Sequence, residues 1–238
     1  MKTYTRGALA TVALAALMGA AACSSSGGGA GSGGDVDSGA GTETNPDGVP
    51  YPSPAGGYGH TARSGSTPGS VLQNFKFQGY VDSSVASGLS TISMADYYDP
   101  CQKRFKMIHI TVASTWCVGC DQETTAIVAA KSQLDSEQVV ILQALDESTV
   151  GKAATDVDLT NWIQAHGSNF TEMLDPELQN FAGFFNAAAV PWNADVDPRT
   201  MELLTSSESF SGDLSAEINP GVVPATPSYP VPASAQCP

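Results

Sequence analysis

The fold is decided by residues 112–123, which read VASTWCVGCDQE. Two cysteines, Cys117 and Cys120, follow an apolar run typical of a buried strand and open a segment with helical periodicity. At a helix N-terminus the first sulfur lies among unpaired N–H groups, which favour a thiolate, although Asp121 and Glu123 oppose it electrostatically. We expect Cys117 to be the exposed nucleophile, and Cys120 to be shielded and able to attack a mixed disulfide.

Other chemistries that use two closely spaced cysteines fit the sequence less well. A structural zinc site needs a second Cys or His pair at suitable spacing, which this chain lacks, and a c-type haem needs a His where Asp121 stands. The three histidines, His60, His109 and His166, form no metal-binding pattern, and we expect them to be solvated or to cap helices. No metal and no cofactor is therefore predicted. A stable local disulfide without turnover remains the alternative for the cysteine pair.

Residues 112–123 resemble the active-site segment of thioredoxin-like (redoxin) proteins, and most closely the membrane-tethered TlpA/ResA type, where W-C-x-x-C is followed three positions later by an acidic residue. Val190-Pro191 lies where that family has its cis-proline loop. The resemblance covers roughly residues 92–204. It implies a thioredoxin-like three-layer α/β fold, with a central mixed sheet flanked by helices. It also implies that Trp116, Val190 and Pro191 bind the substrate, the backbone of Val190 pairing with an extended segment.

The chain departs from the family pattern at several positions. Thioredoxin has a buried aspartate where this chain has Thr111, so Glu123 becomes the candidate for proton transfer at Cys120. The alternative for Glu123 is an ordinary first-turn glutamate that favours the helix dipole. Trp192 and Asn193 replace small residues after the proline, and we expect them to reshape the substrate groove.

Hydrophobic periodicity predicts the remaining elements. The predicted strands are 75–78, 105–113, 139–145, 192–196 and 201–204. The predicted helices follow Cys120, begin at Asp158, begin at Asp175-Pro176 and cover 213–218.

The N-terminus is typical of an exported protein. Residues 1–22 carry Lys2 and Arg6 before an apolar stretch, as in a signal peptide. Residues 18–23 resemble a bacterial lipobox, which implies lipidation at Cys23 and a membrane-anchored lipoprotein in the bacterial cell envelope, facing the periplasm or the exterior. The alternative is cleavage at an ordinary A-x-A site, giving a secreted protein with a free thiol at Cys23.

Composition divides the rest of the chain. Residues 23–70, rich in Gly, Ser and Pro, are predicted to be a disordered linker. Residues 71–218 form the predicted thioredoxin-like domain, and residues 219–238 a Pro-rich irregular tail. Cys101 and Cys237 remain after the other cysteines are assigned, and in an oxidising compartment an even remainder suggests a structural disulfide.

Charge and motifs limit the function. The 238 residues carry a formal net charge of −14, which disfavours binding to nucleic acid. The sequence therefore predicts a thiol–disulfide oxidoreductase, anchored to a membrane by lipid, whose partners are protein thiols and disulfides of the cell envelope. One alternative is a peroxiredoxin-like peroxidase, disfavoured because residues 110–116 contain no proline. The other is a tethered copper-binding or interaction module, disfavoured by the two-residue spacing of the cysteines.

Overall fold

A computed structural model of the chain describes residues 43–52, 69–185 and 189–237. The predicted signal peptide, Cys23 and His60 lie outside these residues. The strands are β1 (Lys76–Tyr80), β2 (Ser90–Ser93), β3 (Met107–Ala113), β4 (Val139–Leu145), β5 (Glu147–Thr149), β6 (Lys152–Ala153), β7 (Thr171–Leu174), β8 (Trp192–Asp197) and β9 (Glu202–Glu208). The α-helices are α1 (Val118–Ser136), α2 (Asp156–His166) and α3 (Leu214–Glu217). In the described part of the chain, no helix is both long and apolar enough to cross a membrane.

Seven strands form a mixed sheet in the order β2-β1-β7-β4-β3-β8-β9. The central strands β3, β4 and β7 are parallel, whereas β8 runs antiparallel to β3 and β9 antiparallel to β8. Strands β5 and β6 form a separate two-stranded hairpin. The predicted α/β class, with a central mixed sheet and flanking helices, is confirmed.

One face of the sheet is covered by the α-helices. Side chains alternate along β3, so Met107 points to this face and packs with Ile127 and Leu134 of α1 and with Ile218 after α3. Nearer the carboxyl end of β3, Leu159 and other apolar residues of α2 pack with the two cysteines. The start of α1 therefore lies over the carboxyl ends of the parallel strands.

The opposite face is covered by short 3-10 helices and loops. Ile108, Ile110 and Val112 point to this face, where they belong to one cluster with Phe181 and Trp192. The 3-10 helices that flank the cluster are Met94–Tyr97 and Pro176–Leu178. This arrangement supplies the third layer of the fold.

The helix predicted to begin at Asp175-Pro176 is wrong beyond its first turn. Glu177 and Leu178 adopt φ values of 57° and 56°, so the helix ends after Leu178. The Asp175 carboxylate accepts hydrogen bonds from the backbone N–H groups of Asn180 (2.9 Å) and Phe181 (3.0 Å). These bonds close a compact loop that still buries Phe181, as the apolar pattern indicated.

Part of the predicted linker packs on the domain, contrary to the expected disorder. Within residues 43–52, Val49 and Tyr51 are buried in the core cluster, and the Tyr51 hydroxyl donates to the carbonyl of Leu72 at 2.9 Å. The two buried apolar side chains and the hydrogen bond oppose the ordering entropy of this segment, and composition alone did not reveal them.

The C-terminal tail is irregular apart from one 3-10 turn, Pro220–Val222, and it is attached at several points. Arg199 donates to the carbonyls of Pro224 and Ala225, and the Tyr229 hydroxyl donates to the carbonyl of Gly69 at 2.6 Å. Near its end, Cys237 forms a disulfide with Cys101.

Candidate active site

The cysteine pair lies at the N-terminus of α1. Cys117 is the N-cap residue, and its Sγ accepts a hydrogen bond from the backbone N–H of Cys120 at 3.0 Å. The two sulfurs are joined in a disulfide. Cys117 is 7% exposed and Cys120 is fully buried, so Cys117 is less open than the sequence suggested but remains the more accessible of the two.

The Val190–Pro191 peptide bond is cis and lies against the cysteines. The carbonyl oxygen of Val190 is 3.4 Å from Sγ of Cys117. A Cβ atom added at Gly119 would be 3.4 Å from Cδ of Pro191, an ordinary van der Waals contact. The structure thus brings together the two motifs on which the family resemblance rests.

Trp116 is 41% exposed beside the disulfide and is held by the β5–β6 hairpin. Its Nε1 donates to the Glu147 carboxylate at 2.9 Å. The backbone N–H of Thr115 donates to the carbonyl of Glu147, also at 2.9 Å. Sequence patterning missed this hairpin because its strands have three and two residues, too few for a periodic signal.

Asp146 follows β4 and connects its end to the end of β3, from which residues 114–117 lead to α1. Its carboxylate accepts from the Ser114 hydroxyl at 2.5 Å and from the backbone N–H of Glu147 at 2.6 Å. The backbone N–H of Asp146 donates to the carbonyl of Ala113 at 3.0 Å. Burial raises the pKa of Asp146, opposed by these hydrogen bonds to its carboxylate. Asp146 thereby fixes the strand end from which the cysteine loop departs.

Glu123 lies on the inner side of α1, fully buried over the sheet, and not on its solvent-facing side. Its carboxylate accepts from the Thr111 hydroxyl at 3.0 Å and from the side-chain amide of Asn193 at 2.7 Å. Burial raises the pKa of Glu123, while the nearby charge of His109 and these two hydrogen bonds lower it. The alternative of an ordinary first-turn glutamate does not describe this environment.

His109 was expected to be solvated or to cap a helix, and the structure contradicts this. It is fully buried in β3 opposite Asp195 of β8, with Nδ1 2.9 Å from the Asp195 carboxylate. Its Nε2 is 3.2 Å from Oδ1 of Asn193. The period-two alternation of β3 could have placed His109 on the same face as Thr111, but its partner comes from a strand distant in sequence.

Trp192 and Asn193, which we expected to reshape the substrate groove, have buried side chains. Trp192 is fully buried in the core cluster, and Asn193 is buried beneath α1. His166, by contrast, does bond near a helix end, since its Nδ1 is 2.9 Å from the carbonyl of Trp162 and its Nε2 is 3.0 Å from the Asp121 carboxylate. Among the residues that the structure describes, no group of three or more His, Cys, Asp or Glu side chains is arranged to hold a metal ion.

No protein-family model and no curated protein sequence matches the chain. Similar solved structures include a secreted thiol-disulfide isomerase from Corynebacterium glutamicum, 14% identical with a TM-score of 0.47, which covers 63% of this chain and 84% of that one. Another is the thioredoxin domain of a thiol-disulfide oxidoreductase from Bacteroides vulgatus (14% identity, TM-score 0.45, covering 61% and 91%). A third is a secreted disulfide oxidoreductase from Mycobacterium tuberculosis (15% identity, TM-score 0.43, covering 60% and 93%).

Proposed function

We propose that this chain, whose fold is thioredoxin-like, is a thiol–disulfide oxidoreductase that exchanges electrons with protein disulfides through Cys117 and Cys120. The observation that carries the proposal is the placement of this pair. One sulfur is at the N-cap of α1 and 3.4 Å from the carbonyl of Val190 in the cis-proline loop, while the other is buried one turn into the helix. This arrangement separates an attacking sulfur from a resolving sulfur.

The reaction proceeds in two exchanges when the pair is reduced. The Cys117 thiolate attacks a partner disulfide, so that a bond forms between Cys117 and one partner sulfur while the other leaves as a thiolate and takes a proton. Cys120 then loses its proton and attacks Sγ of Cys117, and the bond to the partner breaks. The partner disulfide gains two electrons and this chain becomes oxidised. With the pair oxidised at the start, the same steps run in reverse.

Glu123 is the proposed proton acceptor for Cys120. It lies three residues further along α1 and, like Cys120, it is fully buried. Both of its carboxylate oxygens accept hydrogen bonds, so the ionised form is compatible with its surroundings and can take a proton from a buried thiol.

The substrate is proposed to bind at Trp116, Val190 and Pro191. Trp116 offers an exposed aromatic surface next to Cys117, held in place by Glu147. Val190 presents backbone groups beside the reactive sulfur, where an extended polypeptide can pair by strand addition. Protein disulfides are therefore the proposed substrate class.

The proposed location is the outer side of a bacterial membrane, with Cys23 lipidated after removal of residues 1–22. The sequence pattern supports this, and a Cys101–Cys237 disulfide is suited to an oxidising compartment. Metabolic labelling with a fatty acid tests it. We expect label in the membrane fraction of the parent protein and unlabelled, soluble protein for Cys23→Ala; label retained by Cys23→Ala contradicts lipidation at Cys23.

The activity is tested by trapping. Cys120→Ser is expected to accumulate mixed disulfides at Cys117 with envelope proteins, because the resolving sulfur is missing. Cys117→Ser/Cys120→Ser is the matched control and should trap nothing. The wild-type chain should catalyse the reduction of insulin by a dithiol, and both variants should lose this activity. Absence of adducts together with an inactive wild type would refute the proposed function.

A further inference from the structure

Four buried side chains form a continuous polar chain beneath α1. Asp195 contacts His109, His109 contacts Asn193, and Asn193 donates to Glu123, over distances of 2.9, 3.2 and 2.7 Å. None of the four is more than 1% exposed. Buried polar groups are costly unless they are satisfied, so this chain is a specific feature of the core and not a solvated surface.

The hydrogen bonds connect the charge of His109 to that of Glu123. The side-chain amide of Asn193 donates through Nδ2 to Glu123, so its Oδ1, an acceptor, faces Nε2 of His109. Nδ1 of His109 faces a carboxylate oxygen of Asp195, also an acceptor. When Glu123 is ionised, both ring nitrogens of His109 face acceptors, and both can donate only as the imidazolium. A charge on Glu123 and a second proton on His109 are therefore coupled through Asn193.

The charges around Glu123 come from three elements. His109 on β3 is the cation, and Asp195 on β8 is bound to it and also accepts from the backbone N–H of Asn219 at 3.3 Å. Glu217 on α3 is a second carboxylate that disfavours a charge on Glu123, and its own carboxylate accepts from Ser207 at 2.5 Å. His109 is thus the cation that, together with the hydrogen bonds from Thr111 and Asn193, opposes the effects of burial and of Glu217 on the pKa of Glu123.

We infer that His109, held by Asp195 and connected through the Asn193 amide, is a positioning residue that keeps Glu123 ionised and ready to accept the proton of Cys120. The inference rests on the proposed function, and it concerns the second exchange, in which Cys120 attacks the mixed disulfide at Cys117. As that step proceeds, the proton leaves the Cys120 sulfur for Glu123, the Cys120–Cys117 bond forms and the Cys117–partner bond breaks. The departing partner thiolate takes up one proton, so the step is balanced.

The direct test is the pKa of the Glu123 carboxyl, followed by carbon NMR in the full chain. His109→Gln retains hydrogen-bonding capacity but removes the charge, and we expect the pKa of Glu123 to rise by about 1 or more. The resolution rate of a preformed Cys117 mixed disulfide should then reach half its maximum at a correspondingly higher pH. In a Glu123→Gln background, His109→Gln should cause no further change in this pH profile.

His166→Gln is the matched control. It removes a histidine that is also paired with an aspartate, but that aspartate, Asp121, is on the exposed side of α1. We expect the pKa of Glu123 and the pH profile to stay as in the wild type. If His109→Gln fails to fold, Asp195→Asn is used instead. Loss of the Asp195 carboxylate makes the protonated form of His109 less stable, so the pKa of Glu123 should rise in this variant as well.

Two outcomes separate this inference from the proposed function. An unchanged Glu123 pKa in the folded His109→Gln or Asp195→Asn chain overturns the inference, even if the variant is less stable. A wild-type chain without exchange activity overturns the proposed function instead. The NMR measurement gives its result in either case, because it does not require turnover.

Discussion

At the scale of single residues, two buried glutamates have different surroundings. Glu123 has a cation in its network, whereas Glu172 in β7 is fully buried and its carboxylate accepts from the Ser83 hydroxyl at 2.9 Å. Burial raises the pKa of Glu172 to about 7, opposed by the hydrogen bond from the Ser83 hydroxyl. A carboxyl group of this kind costs stability when it ionises, and the cost depends on pH.

Glu172→Gln should therefore stabilise the protein at alkaline pH. The folded chain keeps the Glu172 proton up to about pH 7, while the unfolded chain releases it near the ordinary value of 4.5, so the free energy of unfolding falls as pH rises between these values. At pH 8 the variant should exceed the parent by up to about 3 kcal/mol, and at pH 4 the two should differ little. Urea unfolding at both pH values measures this. A difference independent of pH would show that titration is not the cause.

Glu123→Gln should impair only one of the two exchanges. Removing a buried general base lowers the rate of the step that it serves, here on the order of 100-fold for the attack by Cys120. The first attack, by Cys117, should change little. Rapid-mixing kinetics with a model disulfide separate the two steps, and equal slowing of both would argue against a role specific to Cys120.

The sequence predicted the cysteine pair and the neighbouring cis-proline loop better than their surroundings. The cysteines and Val190-Pro191 are identified by local motifs, so a single sequence reveals them. Asp195 and Asn193, which contact His109 and Glu123, come from β8, a strand that lies far along the chain. Their contacts follow from cross-strand register: His109 is opposite Asp195 and Thr111 is opposite Asn193. Composition gives no information about that register.

At the scale of elements, prediction succeeded where one pattern dominates. The continuous apolar run Val139–Leu145 is a strand with the predicted bounds, because a central parallel strand is covered on both faces. β7 was missed because its four residues include the buried Glu172, which interrupts the apolar signal. The helix expected from Asp175 was replaced by a loop because the Asp175 side chain bonds two backbone N–H groups of its own segment.

The pairing of β1 with β7 requires Gly79. A Cβ atom at this position would lie 2.4 Å from the carbonyl oxygen of Glu172 and 2.7 Å from Cα of Met173, both backbone atoms that cannot rotate away. We expect Gly79→Ala to lower the free energy of unfolding by about 1–3 kcal/mol. Gly183→Ala is the control, since a Cβ there meets nothing within 4 Å, and it should be neutral or slightly stabilising. Equal effects of the two substitutions in chemical denaturation would contradict this account.

At the scale of the whole molecule, the Cys101–Cys237 disulfide joins residues 136 positions apart. A link across so long a loop restricts the unfolded chain, so Cys101→Ala/Cys237→Ala should lose about 2–5 kcal/mol of stability. The tail should also become sensitive to proteases, which mass spectrometry of limited digests detects. Insulin reduction at a temperature where the variant stays folded should be unaffected, since Cys117 and Cys120 are retained. Loss of activity in the folded variant would show that the tail supports the active site.

The two disulfides are placed at opposite ends of β3. Cys101 precedes the strand, near Asp99, whose N–H donates to the carbonyl of Pro198 in the turn between β8 and β9, and Cys117 follows it. The seven residues of β3 span about 23 Å. This separation keeps the Cys101–Cys237 disulfide out of reach of the exchange proposed for Cys117 within one folded molecule. A chain that exchanges disulfides as proposed would therefore spare its own structural disulfide.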